Sequence, residues 1–273
     1  MTRRSRLDAE LVRRGLARSR EHASGLIAAG RVRVGGAAGG GGIGTIKPAS
    51  QVDAATAITV AESGDGGGEY ASRGGHKLAG ALSAFDRLTV RGRRCLDAGA
   101  STGGFTDVLL RAGAAHVTAV DVGYGLLAWR LRTDPRVTVL ERVNVRHLRP
   151  EQVQPAPDLV TADLSFISLT LVLPALTACA APDTDFVLLV KPQFEAGKGR
   201  VGAGGVVRDP AVQAEAVTKV ADRGWGLGLG ASGVTASPLP GPAGNVEYFL
   251  WLRREAPPLD PGAVDRVIAK GPH

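Results

Sequence analysis

Two lysines and two carboxylates, Lys77, Asp163, Lys191 and Glu247, are the residues of this 273-residue chain whose types and settings best suit proton chemistry. Asp163 and Lys191 each close an apolar run that reads as a strand. Both therefore fall at carboxyl ends of strands, which in an open α/β sheet line the ligand crevice. Glu247 sits on a late strand between Val246 and Tyr248, next to Asn245, and Lys77 lies on a helix ahead of the first strand of the sheet. An alcohol such as a ribose hydroxyl is a weak acid and a poor nucleophile. A lysine amine can take its proton if burial or a neighbouring cation makes the neutral amine reachable, and acids beside it can orient it. Each of these residues alone is better explained as half of a cleft salt bridge. Four of them at one crevice, beside a cofactor loop, point to catalysis as a tetrad.

That loop is Leu96-Asp97-Ala98-Gly99-Ala100-Ser101-Thr102-Gly103-Gly104-Phe105. Glycines let the backbone come close to a ligand, and the helix that follows offers free amides. Asp121 ends the next strand, where a carboxylate can accept bonds from two ribose hydroxyls. A nicotinamide dinucleotide would meet this description, but the GxGxxG spacing is missing. Asp97, placed in the loop, would repel a pyrophosphate and suit the sulfonium and amino groups of S-adenosylmethionine. The expected cofactor is therefore S-adenosylmethionine, held by Asp97, Gly99, Ala100, Ser101, Thr102, Gly103, Gly104, Phe105 and Asp121.

These residues need a scaffold, and the patterning supplies one. From residue 72 onward strand and helix patterns alternate. Strands are expected at 94–97, 116–121, 137–140, 159–163, 186–191, 234–237 and 246–252, and helices at 75–86, 105–112, 126–131, 169–180 and 211–223. Such alternation predicts an α/β, Rossmann-like fold: a mainly parallel sheet covered on both faces, ending in an antiparallel hairpin. Ahead of it the sequence predicts a small α+β domain over 1–62. It has an apolar stripe of Leu7, Leu11 and Val12 ending at Gly15, then a second helix capped by Ser19 and stopped by Gly30. Short strands follow at 31–34 and 57–60. A glycine insertion at 39–44 reads as a loop, and 63–72, with glycines at 64 and 66–68, as a linker to the domain at 73–273.

Charge separates the two parts. Residues 1–33 carry nine arginines and three acids, so six of the seven net positive charges sit in that segment. An arginine-rich solvated helix would look similar, but arginine suits phosphate geometry, so a polyanion is the expected partner. The phosphate contacts are assigned to Arg4, Arg6, Arg18, Arg20 and Lys47. Cys95 and Cys179 make neither a disulfide framework nor metal-ligand spacing, which points to a reducing cytoplasm and no metal. The first ten residues are too charged for a signal peptide. The longest apolar stretch, 169–181, contains Pro174 and is too short to span a bilayer, so no membrane insertion is expected. A monomer is expected.

Several motifs together resemble a known family. Ser72-Arg73-Gly74-Gly75-His76-Lys77-Leu78, the 97–105 loop, Ala162-Asp163-Leu164-Ser165-Phe166-Ile167-Ser168, Val190-Lys191-Pro192-Gln193-Phe194-Glu195 and Gly244-Asn245-Val246-Glu247-Tyr248 are similar to the TlyA (haemolysin A) family of FtsJ-like ribose 2′-O-methyltransferases. That family uses a Lys-Asp-Lys-Glu tetrad, and all four positions match. Arg6-Leu7-Asp8 through Ser19-Arg20, with Lys47-Pro48, resembles an S-four-type RNA-binding domain. The resemblance implies methylation of cytidine ribose in 16S and 23S rRNA, with rRNA or ribosomal subunits as partners. The chain has Glu69-Tyr70-Ala71-Ser72 where the family often has a tryptophan-containing tetrapeptide. Three other readings compete. A base methyltransferase would carry Asn/Asp-Pro-Pro-aromatic where this chain has Asp163-Leu164-Ser165-Phe166. A haemolysin-type pore former would need spanning segments. A non-catalytic RNA-binding protein would not need the tetrad.

Overall fold

The computed structural model describes residues 4–14, 16–17, 19–28, 32–35, 46–53, 56–60, 70–197 and 199–271. Arg18, Gly15, Gly30, the 39–44 insertion and the 64–68 glycine stretch lie outside the described residues. The chain divides into two compact units, Met1–Glu69 and Tyr70–His273. Tyr70, Ala71 and Ser72, read from sequence as linker, thus belong with the second unit.

In the first unit, β1 (Ser5–Arg6) leads into α1 (Leu7–Arg13), followed by α2 (Arg20–Ala28), β2 (Val32–Gly35), β3 (Gln51–Val52) and β4 (Ala57–Val60). β1 pairs with β3 and β2 with β4, both antiparallel. Leu7, Leu11, Ala23, Leu26, Ile27, Val32, Val52 and Ile58 bury together as one core. Leu7 and Leu11 are one helical turn apart, so α1 turns a single apolar edge inward. The strands β1 and β3 are two residues each, too short to leave a period in the sequence.

The second unit begins with α3 (Arg73–Ala84), β5 (Arg94–Ala98), α4 (Gly104–Arg111), β6 (His116–Asp121), α5 (Trp129–Arg132) and β7 (Val137–Glu141). It continues with β8 (Leu159–Ala162), α6 (Leu169–Cys179), β9 (Asp185–Val190), α7 (Pro192–Glu195), α8 (Pro210–Trp225), β10 (Gly230–Ala236), β11 (Tyr248–Arg253) and α9 (Pro261–Lys270). Seven strands form one sheet in the order β10-β11-β9-β8-β5-β6-β7. β11 is antiparallel to both neighbours, and the pairs β9-β8, β8-β5, β5-β6 and β6-β7 are parallel. The mainly parallel α/β fold is therefore as expected, with β11 inserted beside β9 rather than added at an edge.

Side chains alternate across this sheet. Leu96, Ala98, Val160, Ala162, Leu188 and Val190 share one core with α6, α8 and α9. Cys95, Val117, Leu159, Val187, Leu189 and Phe249 share the other with α3 and α4. Strands buried on both faces read as continuous apolar runs, as Phe186-Val187-Leu188-Leu189-Val190 does. Both cysteines are buried free thiols. Burial pushes Cys95 up to about 12 and Cys179 up to about 11, which leaves them protonated and unreactive. Among the described residues, no helix is long and apolar enough to cross a membrane.

Candidate active site

The register brings the tetrad to one rim. β5, β8 and β9 are parallel, with Ala98 beside Ala162 and Ala162 beside Leu188, so their carboxyl ends lie together. Asp163 follows β8 and Lys191 follows β9. β11 runs the other way and starts at this rim: Tyr248 pairs with Val190, which sets Glu247 near Lys191. Lys77 comes from the buried side of α3, shared with Gly75, Leu78 and Ala81.

The four residues form two pairs. Lys77 Nζ donates to Glu247 Oε2 at 2.5 Å, with both side chains buried. Lys191 Nζ lies 2.6 Å from Asp163 Oδ1, an ion pair without hydrogen-bond alignment, and its aligned bond goes to Ser165 Oγ at 3.1 Å. Glu247 Oε1 is buried with no hydrogen-bond partner among the described residues. Removing one member of a buried pair strands the other charge, at a cost of about 3–5 kcal/mol. Lys77, Asp163 and Lys191 line a pocket of about 240 Å³ together with Gly99, Ala100, Ser101, Thr102, Gly104 and Phe105.

The loop has the shape its glycines predict. Gly99 has φ +86°, and a Cβ there would sit 2.5 Å from the Asp163 carbonyl oxygen. A Cβ on Gly104, the first residue of α4, would sit 2.4 Å from Ser72 Oγ. No side chain caps α4 from its N-cap position at Gly103, so the helix end presents amide donors suited to an anionic group. Gly103 does not line the pocket; it packs against Leu127 and Leu131.

The two acids assigned to the cofactor, Asp97 and Asp121, are not among the residues that line the pocket. Asp97 is not in the loop, as the sequence suggested, but within β5, with no exposed surface. It shares a sheet face with Cys95 and so points under α4, where Thr106 Oγ1 donates to its Oδ2 at 2.7 Å. Burial pushes its carboxyl up to about 7, while the Thr106 bond opposes the shift. Asp121, half-buried at the end of β6, accepts from the amides of Ser101 at 2.8 Å and Gly123 at 2.6 Å. It braces the loop and does not itself line the pocket, although a carboxylate has acceptor sites left for hydroxyls.

Sequence reasoning missed Ser72, Arg73, Gly74, Ser165 and Pro242 as pocket-lining residues. The first four lie in motifs already noted, next to tetrad members; Pro242 carried no signal. It also missed Asp107, a buried acid that accepts from Ala71 N at 2.7 Å and pairs with Arg130 at 2.6 Å and Arg111 at 3.0 Å. Arg111 in turn covers the Tyr70 ring at 5.0 Å, which fixes the chain leading to Ser72.

In the first unit, Arg6 and Arg20 gather around Asp8, and Lys47 precedes the residue to which the Asp8 backbone is tied. Arg6 pairs with Asp8 at 2.8 Å and Arg20 at 3.4 Å, and the Asp8 amide donates to Pro48 O at 3.0 Å, beside Lys47. The hydrogen bonds from Arg6 hold the Asp8 carboxyl down to about 2. Arg4, Arg6, Arg20 and Lys47 are exposed or half-exposed, while Arg18 lies outside the described residues. Arg13 and Arg14 are both bonded to buried Glu10, so they partly serve the fold. Among the described residues, no group of three or more His, Cys, Asp or Glu side chains could hold a metal ion.

Comparison with known proteins identifies the family of both units. The family described as FtsJ-like methyltransferase matches residues 70–254, and the S4 domain family matches residues 5–37. A Mycobacterium tuberculosis protein named 16S/23S rRNA (cytidine-2′-O)-methyltransferase TlyA is 60% identical over 100% of both chains. Hemolysin A of Brachyspira hyodysenteriae is 35% identical over 89% of this chain and 98% of its own. A solved Streptococcus thermophilus structure, provisionally described as a hemolysin, superposes with TM-score 0.72 at 36% identity, covering 99% of this chain and 96% of that one.

Proposed function

The chain belongs to the FtsJ-like methyltransferase family and carries an S4 domain, and on that premise we propose that it is an S-adenosylmethionine-dependent rRNA 2′-O-methyltransferase acting on cytidine ribose in 16S and 23S rRNA. The observation that carries this reading is the meeting of Lys191–Asp163 and Lys77–Glu247 at the pocket walled by the 99–105 loop.

The pocket residues, with Asp97 and Asp121 behind them, suit the cofactor. Amides of the loop and of the α4 start match a carboxylate, Asp121 matches ribose hydroxyls, and Asp163, with Asp97 behind it, favours a cationic centre. Gly99 and Gly104 let the loop pack against Asp163 and Ser72 at distances that no side chain would allow, which brings the loop backbone to the pocket wall. When bound, S-adenosylmethionine supplies an electrophilic methyl group. The chain's own residues handle the proton. Lys191 Nζ is the group that accepts the 2′-hydroxyl proton, with Asp163 and Ser165 setting its direction. Glu247 holds Lys77 at the same pocket, where its ammonium can hold a ribose oxygen or a phosphate. Arg4, Arg6, Arg18, Arg20 and Lys47 supply phosphate contacts. These are sequence-independent, so they add affinity while the pocket selects the nucleotide.

The test is methyl transfer from labelled S-adenosylmethionine to rRNA, followed by nucleoside analysis and mapping in cells with and without the gene. The expected product is 2′-O-methylcytidine in both rRNAs. A methyl group on a base, or no transfer to any rRNA, would overturn the reading.

A further inference from the structure

We propose that Glu195 is a positioning residue for methyl transfer: it clamps the loop carrying Asp163 and Ser165 to the turn carrying Lys191. The inference rests on the function proposed above. The loop runs from Asp163, after β8, to Ser168, before α6, and the turn runs from Lys191, after β9, to Glu195. Nothing in the sheet ladder joins the two, because both begin where the strands end.

Three ties cross the gap. Lys191 reaches Asp163 and Ser165, which is the working contact itself. Phe194 packs on Phe166 with centroids 5.2 Å apart, but Phe166 is 91% exposed and has φ +64°, a backbone region costly for an aromatic residue. The third tie is buried. Glu195 is 2% exposed, and its carboxylate accepts from Ser168 Oγ at 2.5 Å and from the Leu169 amide at 2.7 Å. The far side of the turn is anchored to α8, where Lys219 Nζ donates to the Glu195 carbonyl at 2.7 Å.

Helix capping alone does not explain this carboxylate. Ser168 is already the N-cap of α6, its hydroxyl accepting from Thr170 N at 3.2 Å. Among the described residues Glu195's side chain is hydrogen-bonded only to neutral donors, and burial raises its pKa against the opposing pull of those bonds and of Lys219, so keeping a carboxylate here is unfavourable for folding. What its two bonds achieve is closure. The segment 164–167, with Phe166 at positive φ, is held at one end by Lys191 and at the other by Glu195, which keeps Ser165 at the amine, while the Asp163 amide is also tied to Ala98 O at 3.0 Å. An ångström of drift between reacting groups can cost about a hundredfold in rate.

The experiment compares Glu195→Leu and Glu195→Gln in the full chain. Leucine removes both acceptors and keeps an apolar volume. Glutamine can still accept from Leu169 and donate to Ser168 Oγ. For folded Glu195→Leu the single-turnover methylation rate should fall by about tenfold or more, with S-adenosylmethionine affinity within about twofold. The midpoint of its pH–rate profile should move, and backbone amides at 164–168 should exchange faster in the unliganded protein. Glu195→Gln should recover most of the rate and the native midpoint. If Glu195→Leu does not fold, Glu195→Met removes the same two acceptors with a more adaptable apolar chain and is read in the same way. A folded Glu195→Leu protein with native rate, midpoint and amide exchange would overturn the proposal, as would a rate loss matched by an equal loss of cofactor affinity. If the native protein itself methylates no rRNA, the function reading fails, and amide exchange alone decides whether Glu195 holds the loop.

Discussion

Asp97→Asn separates the cost of a buried carboxylate from its use. In the folded protein burial lifts the Asp97 carboxyl from 3.8 to about 7. Between those values the unfolded chain has released its proton and the folded chain still holds it. The folded state therefore binds more protons, and stability must fall as pH rises through this window, levelling off above about 7. One pKa unit is worth about 1.36 kcal/mol, so from pH 5 to pH 8 the native protein should lose about 3 kcal/mol that the asparagine variant does not lose. The amide is close to isosteric, its oxygen can accept the Thr106 hydrogen bond, and its NH2 can face Thr161 Oγ1, which lies 3.4 Å from Asp97 Oδ1. Urea unfolding of both proteins at pH 5, 6, 7 and 8 gives the difference directly. Glu195, also raised by burial, titrates in both proteins and cancels. The variant should be the more stable protein at pH 8, close to native at pH 5, and a weaker binder of S-adenosylmethionine at pH 8. Parallel stability profiles across the range would refute the buried-charge reasoning.

Lys191→Ala and Lys191→Arg should each lower the single-turnover rate by about 10² to 10⁴ while S-adenosylmethionine still binds, because neither offers a neutral amine; near-native turnover by the arginine variant would mean that Lys191 only positions the ribose. Asp121→Ala, which frees the amides of Ser101 and Gly123, should weaken S-adenosylmethionine by about tenfold or more in calorimetry with the melting temperature nearly unchanged, since the site is half-exposed; binding of NAD in its place would refute the pocket assignment. Arg4→Ala and Lys47→Ala should each reduce the slope of log affinity for rRNA against log salt by about one unit, and unchanged slopes would remove these residues from the interface.

The site was legible in sequence as far as chain direction and polarity patterns reach. An apolar strand ending in Asp163 or Lys191 announces a rim position, because the carboxyl ends of parallel strands are where such a sheet opens. The α9 helix was equally readable, with Asp260 as cap, Pro261 at its first position and Val264, Val267 and Ile268 on one face, but it was overlooked. The one-turn α5 and α7 were not readable at their true extent, since four residues are too few to show a helical period.

By itself the sequence determined which segments alternate as strand and helix, which loop could wrap a cofactor, which four charged residues could share a crevice, and where the positive charge collects. Those are local properties, written in residue type and spacing. Only the tertiary structure decided that β11 enters the sheet next to β9, so that Glu247 meets Lys77 across 170 residues and Lys191 is left to Asp163 and Ser165. It also turned Asp97 under α4, off the pocket wall, and joined Glu195 to the start of α6. Lateral strand order and side-chain partnership are set by which faces pack together and by which buried polar groups find a donor. Neither leaves a period or a spacing in the chain.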